Sequence, residues 1–89
     1  MTRRIADLRN LGPKTAAMLG EIGVGTEAEL RALGAVECYC RLRFAFGRQI
    51  SLNALHAMEA ALLNIDWRAL DAQTKDRLLR EVAVRTEPL

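Results

Sequence analysis

Aromatic residues are scarce in this sequence: one Trp, one Tyr and two Phe make up 4% of 89 residues, although 51% of the chain is apolar. Its core must therefore come from Leu, Ala, Val and Ile, and with no alternating apolar–polar run in sight this composition points to helices. Histidine occurs once, at His56, and cysteine twice, at Cys38 and Cys40. A zinc site would lack ligands, so no metal and no cofactor are expected. The two cysteines stand two apart on a helical stretch, where their side chains diverge, and free reduced thiols follow. No apolar run approaches membrane-spanning length, and no basic-then-apolar leader opens the chain. The expectation is a soluble, cytoplasmic protein without a membrane partner.

Charge is also modest. The formal net charge is +2, small for a protein that grips nucleic acid by bulk electrostatics. Its distribution is uneven: residues 1–48 hold eight Lys and Arg against five Asp and Glu, and residues 49–89 hold five against six. An anionic partner would meet the N-terminal half. At 9.9 kDa the chain is a single domain, 1–89, with room for one core but not for a deep cleft between domains.

The most informative stretch that is present runs from Leu8 to Val24. Gly12 precedes Pro13, which at the first helical position has a preset φ and lacks an N–H that would have been unpaired anyway. Gly12 is expected to use backbone angles closed to other residues. Such a turn would leave amides free near Leu11, Gly12 and Lys14 at the positive end of a helix dipole, with Arg9 and Lys14 adding full charges. Leu8 and Leu11 before the turn, Ala16 and Leu19 after it, and the stop at Gly23 complete a helix-hairpin-helix pattern over about 8–34.

Glycines divide the rest. Gly23, Gly34 and Gly47 read as left-handed helix stops. A short first helix covers Arg3 to Leu8, and a second runs from Pro13 to about Ile22. Thr26 caps a third, with Glu29 in capping-box position and Leu30 and Leu33 inward. A fourth covers Ala35 to Phe46 and presents Val36, Tyr39, Cys40, Phe44 and Phe46. Ser51 caps the fifth, with Ile50 and Leu55 spaced as a staple and Leu52, Leu55, Met58, Leu62 and Ile65 as its stripe; it reads as the spine of the core. Asp66 caps a turn holding Trp67, read as a core plug, and Leu70. Asp71 or Thr74 starts a last helix with Leu78, Leu79 and Val82 inward and a mixed-charge outer face.

In this order and spacing, the hairpin, the run Gly23 to Leu30, Leu33-Gly34-Ala35, Ser51 to Leu62 and Ile65-Asp66-Trp67-Arg68 resemble the C-terminal domain of the TfoX/Sxy competence-regulator family, over roughly Leu8 to Leu79. The resemblance implies an all-α, compact five- or six-helix domain with a helix-hairpin-helix (SAM-like) N-terminal half, related to hairpin motifs of DNA repair proteins and to the C-terminal domain of the RNA polymerase α subunit. It also implies a role in regulating competence genes. Family regulators typically carry an N-terminal domain ahead of this one, for which this chain has no room. DNA-binding hairpins usually have glycine on both sides of the apolar turn residue, whereas here Asn10 holds the first position.

Two binding readings follow. In one, a non-enzymatic module contacts nucleic-acid backbone weakly through Arg9, Asn10, Leu11, Gly12, Lys14 and Thr15, with the DNA phosphate backbone as partner. In the other, Tyr39, Arg43, Phe44, Phe46 and Arg48 dock transcription machinery, a protein carrying a TfoX N-terminal-like domain, or a second copy of the chain as a homodimer. Taken singly, Tyr39, Phe44 and Phe46 read as core. Catalysis finds no foothold: His56 sits beside the apolar stripe, with Glu59 one turn on as its expected hydrogen-bond partner, and nothing pairs a nucleophile with a base.

Overall fold

The computed structural model describes residues 3–86, apart from the side chain of Thr86. Five α-helices follow one another: α1 (Pro13–Glu21), α2 (Glu27–Leu33), α3 (Ala35–Phe46), α4 (Leu52–Leu63) and α5 (Ala72–Thr86). Three single 3₁₀ turns lie at Ile5–Asp7, Gly47–Gln49 and Trp67–Ala69. The all-α class thus stands. The expected first helix is only the turn Ile5–Asp7, because Arg4 and Leu8 on either side are extended. Arg4 instead pairs with Thr26 in an isolated antiparallel bridge, and Glu27 donates its N–H to the Arg3 carbonyl at 2.8 Å. The N-terminal segment is therefore held against the α1–α2 connection.

The capping signals fold as chemistry demands. At α2 the Glu29 N–H donates to Thr26 Oγ1, while the Glu29 carboxylate reaches back to the Gly25 N–H at 3.0 Å, one residue earlier than a strict capping box. Asp66 accepts from the Arg68 N–H and Asp71 from the Thr74 N–H. Ser51 holds the cap position of α4 but its side chain makes no capping bond. All three predicted stop glycines have positive φ. Gly34 and Gly47 combine it with ψ of 158° and −133°, outside the left-handed helical well and in a region open only to glycine. The left-handed helical cap proper is Asn64, which ends α4 at φ 56°, ψ 45°, before the expected end at Ile65.

The core spine is α3, not α4. Ala35, Val36, Cys38, Tyr39 and Leu42 are buried along α3, which touches each of the other four helices. The α4 helix adds Leu55, Met58, Ala60 and Ala61 from one side, and Ile5, Leu8, Leu11, Leu19, Val24 and Leu30 close the other. Four residues expected inward are exposed: Phe44 stands almost wholly in water, and Leu52, Trp67 and Leu79 are covered only in part, at 42%, 41% and 42% exposure. Leu78 alone of the α5 trio is fully buried, with Val82 packed partly against the core.

Candidate functional site

The turn before α1 is built differently from a double-glycine hairpin. Asn10 occupies the left-handed region at φ 74°, the angle that a first glycine would supply. Its side chain explains why asparagine can stand there. Nδ2 donates to the Ile65 carbonyl at 2.7 Å, and Oδ1 accepts from the Trp67 N–H at 3.1 Å. Asn10 therefore fastens the turn before α1 to the α4–α5 connection, 55 residues away in sequence. Its amide is spent on the fold and does not face solvent as a ligand.

Gly12 overturns another expectation. Its φ of −104° and ψ of −179° are ordinary extended values, and nothing lies within 4 Å of where a Cβ would stand. The left-handed strain of the turn falls on Asn10 instead. Of the amides expected to be free, that of Leu11 donates to the Leu8 carbonyl at 3.3 Å, and the Leu11 side chain is buried. The N–H groups of Gly12, Lys14 and Thr15 have no acceptor among the described residues. Arg9 and Lys14 are exposed and make no close ion pair among the described residues, although the Arg9 charge reaches the Asp66 carboxylate.

Tertiary structure adds a second wall. A groove of about 290 Å³ runs between Lys14, Thr15 and Met18 of α1 and Gln49, Ser51 and Asn53 at the start of α4. Because Ser51 makes no side-chain cap, the Leu52 and Asn53 amides are also without an acceptor among the described residues. Arg43 binds the Ile50 carbonyl at 3.2 Å and so braces this wall, while Arg48 immediately precedes Gln49. Gln49, Ser51 and Asn53 were not singled out as site residues from the sequence. Ser51 was legible as a cap, but nothing in the local pattern tells that α4 starts opposite Lys14.

The second set of predicted residues separates. Tyr39 is buried in the core and Phe46 is half-buried against it. Phe44 is 96% exposed, against its reading as core, because it stands on the side of α3 that no helix covers. Arg43 and Arg48 are exposed.

Among the described residues, the titratable groups expected from the sequence to be structural are engaged as follows. Burial pushes the Cys38 thiol up to about 11, and burial raises Cys40 as well, so both are poor nucleophiles at neutral pH. Glu59 pairs with Arg77 at 2.9 Å and not with His56. The His56 Nε2 is buried without a hydrogen-bond partner among the described residues, and its imidazole is held below its ordinary value by burial and then by Lys75.

Known proteins align with this architecture. The family model of the TfoX C-terminal domain matches residues 1–82. Protein Sxy of Escherichia coli (strain K12) is 36% identical over 78 residues, which covers 84% of this chain but 35% of that protein. The chain thus spans about a third of the curated relative it matches. A crystal structure of an uncharacterized protein from Listeria monocytogenes, in a triclinic form, superimposes with a TM-score of 0.83 at 26% identity over 92% of both chains. A tetragonal form of a protein of unknown function from the same organism gives 0.80 at 27% identity, over 92% of this chain and 99% of that one. Since the family model matches residues 1–82 of the 89, this all-α chain belongs to the TfoX C-terminal domain family.

Proposed function

We propose that this domain acts by binding and not by chemistry, as a regulatory module of helix-hairpin-helix type that holds nucleic-acid backbone phosphate at residues 9–15. One observation carries the reading: unpartnered amides at the starts of α1 and α4 flank a single groove, with the unpaired Lys14 on its wall. Amides at a helix start, backed by the dipole, suit an anion. Arg9, Lys14 and Thr15 supply the side-chain contacts, whereas Asn10 and Leu11 shape the turn. Two adjacent phosphates of one strand suit a groove with a helix start on each side. Such contacts carry no base information, so the module positions and does not select.

Affinity at one small site with two or three cations is weak, on the order of 10⁻⁴ M at physiological salt. Membership in the family supports a role in regulating competence genes, and useful affinity there calls for a further module or a partner protein. A domain of the kind found at the N-terminus of family regulators fits that place. The protein is proposed to work in the cytoplasm.

A ¹⁵N titration with a short DNA duplex at low and then physiological salt tests the site. Shifts centred on Gly12, Lys14, Thr15 and Asn53 that fade with salt are expected, and Lys14→Glu should abolish them while leaving the fold intact. A spectrum that moves elsewhere, or not at all, overturns the reading.

A further inference from the structure

The chain holds four aromatic residues, and one of them is bonded to the turn before α1. Tyr39 and Phe46 serve the core, and Phe44 lies on the bare face of α3. Trp67 is the fourth. It is 41% exposed, and its main-chain N–H donates to Asn10 Oδ1 at 3.1 Å across 57 residues of sequence. Nδ2 of the same asparagine holds the Ile65 carbonyl, so position 67 is fixed to the turn from two sides. Gly12 lies two residues past Asn10, at most about 7 Å of chain, and its amide has no acceptor among the described residues. A partly exposed indole is thus anchored beside the amides at the start of α1.

Charge does not choose the ligand at this end. Asp66 holds the Arg68 guanidinium at 3.2 and 3.3 Å and feels the charge of Arg9, so two cations share one carboxylate next to Trp67. The ring does choose. A phosphate contact is blind to whether the bases of its strand are paired. An indole is not, because it takes a base on its face, and only an unpaired base is free to leave its neighbours and stack there. Proteins that hold single strands combine contacts to the backbone with aromatic rings of this kind.

We propose that Trp67 makes this a site for single-stranded nucleic acid: a backbone phosphate rests at the amides of Gly12, Lys14 and Thr15, and an adjoining unpaired base stacks on the indole. This inference rests on the phosphate reading above and adds the ring to it. Trp67 is then the residue that sets the preference for a single strand, and Asn10 is its positioning residue.

Three ligands of equal length test this by ¹⁵N shifts: a short oligothymidylate, the same strand with abasic sites in place of its bases, and a duplex. All three are expected to move the amides of Gly12, Lys14 and Thr15. Only the oligothymidylate should move the indole Nε1–H signal, which is unambiguous in a chain with one tryptophan. Its thymine methyl protons should shift upfield under the ring. It should bind about tenfold more tightly than the abasic strand, or roughly 1.4 kcal/mol for one stacked base. Trp67→Leu should remove that factor and Trp67→Phe should keep most of it. Both variants retain the main-chain N–H that Asn10 holds, so the response of residues 12–15 to the duplex should not change. Oligouridylate against oligodeoxyuridylate assigns the sugar: the tighter of the two identifies the strand as RNA or DNA. A still indole signal, equal binding of the strands with and without bases, or an unchanged Trp67→Leu overturns the proposal, and moving amides at 12–15 would then leave the phosphate reading standing. If those amides stay still with all three ligands, both fall.

Discussion

Asn10 shows how one side chain can replace a glycine. It accepts the left-handed angle that the turn before α1 needs, and it recovers the cost through two hydrogen bonds to the Ile65–Trp67 segment. Each such bond is worth about 1 kcal/mol net, and the left-handed angle costs an alanine about 1–2 kcal/mol. Asn10→Gly, which loses only the bonds, should therefore cost about 1–2 kcal/mol in urea unfolding. Asn10→Ala should cost about 1–2 kcal/mol more than that. Equal losses in the two variants would mean that the backbone at position 10 relaxes when its side chain goes. That asparagine stands at the first turn position was visible in the sequence, and asparagine visits left-handed angles more readily than most residues. Its partners were not visible, because a contact 55 residues away leaves no local trace.

At the scale of elements, the connections carry the conformational constraints and the helices carry the packing. The α2–α3 join is a single residue, Gly34, with φ 84° and ψ 158°. No atom stands within 4 Å of its absent Cβ, so any penalty for a side chain there is purely backbone strain. Gly34→Ala is expected to lower stability by about 1–3 kcal/mol. Gly12→Ala provides the contrast: at ordinary extended angles and in open space, it should be neutral or stabilise by up to about 1 kcal/mol. Guanidinium midpoints for the two variants decide the matter, and a large loss at Gly12 would contradict the extended geometry of the cap. Helix positions and most caps were legible because they follow from nearest neighbours in sequence. The side that each helix buries was less so: Phe44 lies on a face that no other element covers, and Trp67 and Leu79 are covered only in part.

For the whole molecule, stability should depend on pH through one group near neutrality. The folded state holds the His56 imidazole below its ordinary value of 6.5, first by burial and then by the charge of Lys75. The unfolded chain therefore binds the proton at a higher pH than the folded one. The histidine's contribution is complete above about pH 6.5 and is lost as pH falls from there through the folded value. Glu37, Asp66 and Asp71 are held below the usual carboxylate range, Glu37 chiefly by Arg41, Asp66 by Arg68 and Asp71 by Thr74. They act in the same direction, but only below their ordinary values of 4.5 and 3.8. Thermal midpoints should thus decline from pH 7 to pH 5 in the parent and stay flatter in His56→Gln. A parallel decline in both proteins would remove His56 from the account.

Sequence alone determined the helical class, most helix boundaries, the Thr26 and Asp66 caps and the positive-φ stops, since each rests on residues within a turn or two of one another, and the order of such pieces from Leu8 to Leu79 carried the family resemblance; between Asp71 and Thr74 as the last cap, the structure chose Asp71. Tertiary structure decided that α3 is the spine, that Asn10 ties the turn before α1 to the α4–α5 connection, and that the start of α4 faces Lys14. It also decided that Tyr39 is inside while Phe44 is outside, though both lie on the apolar residues of one helix. A helix pattern states which side chains are apolar, but only the placement of neighbouring helices states which of them are taken out of water.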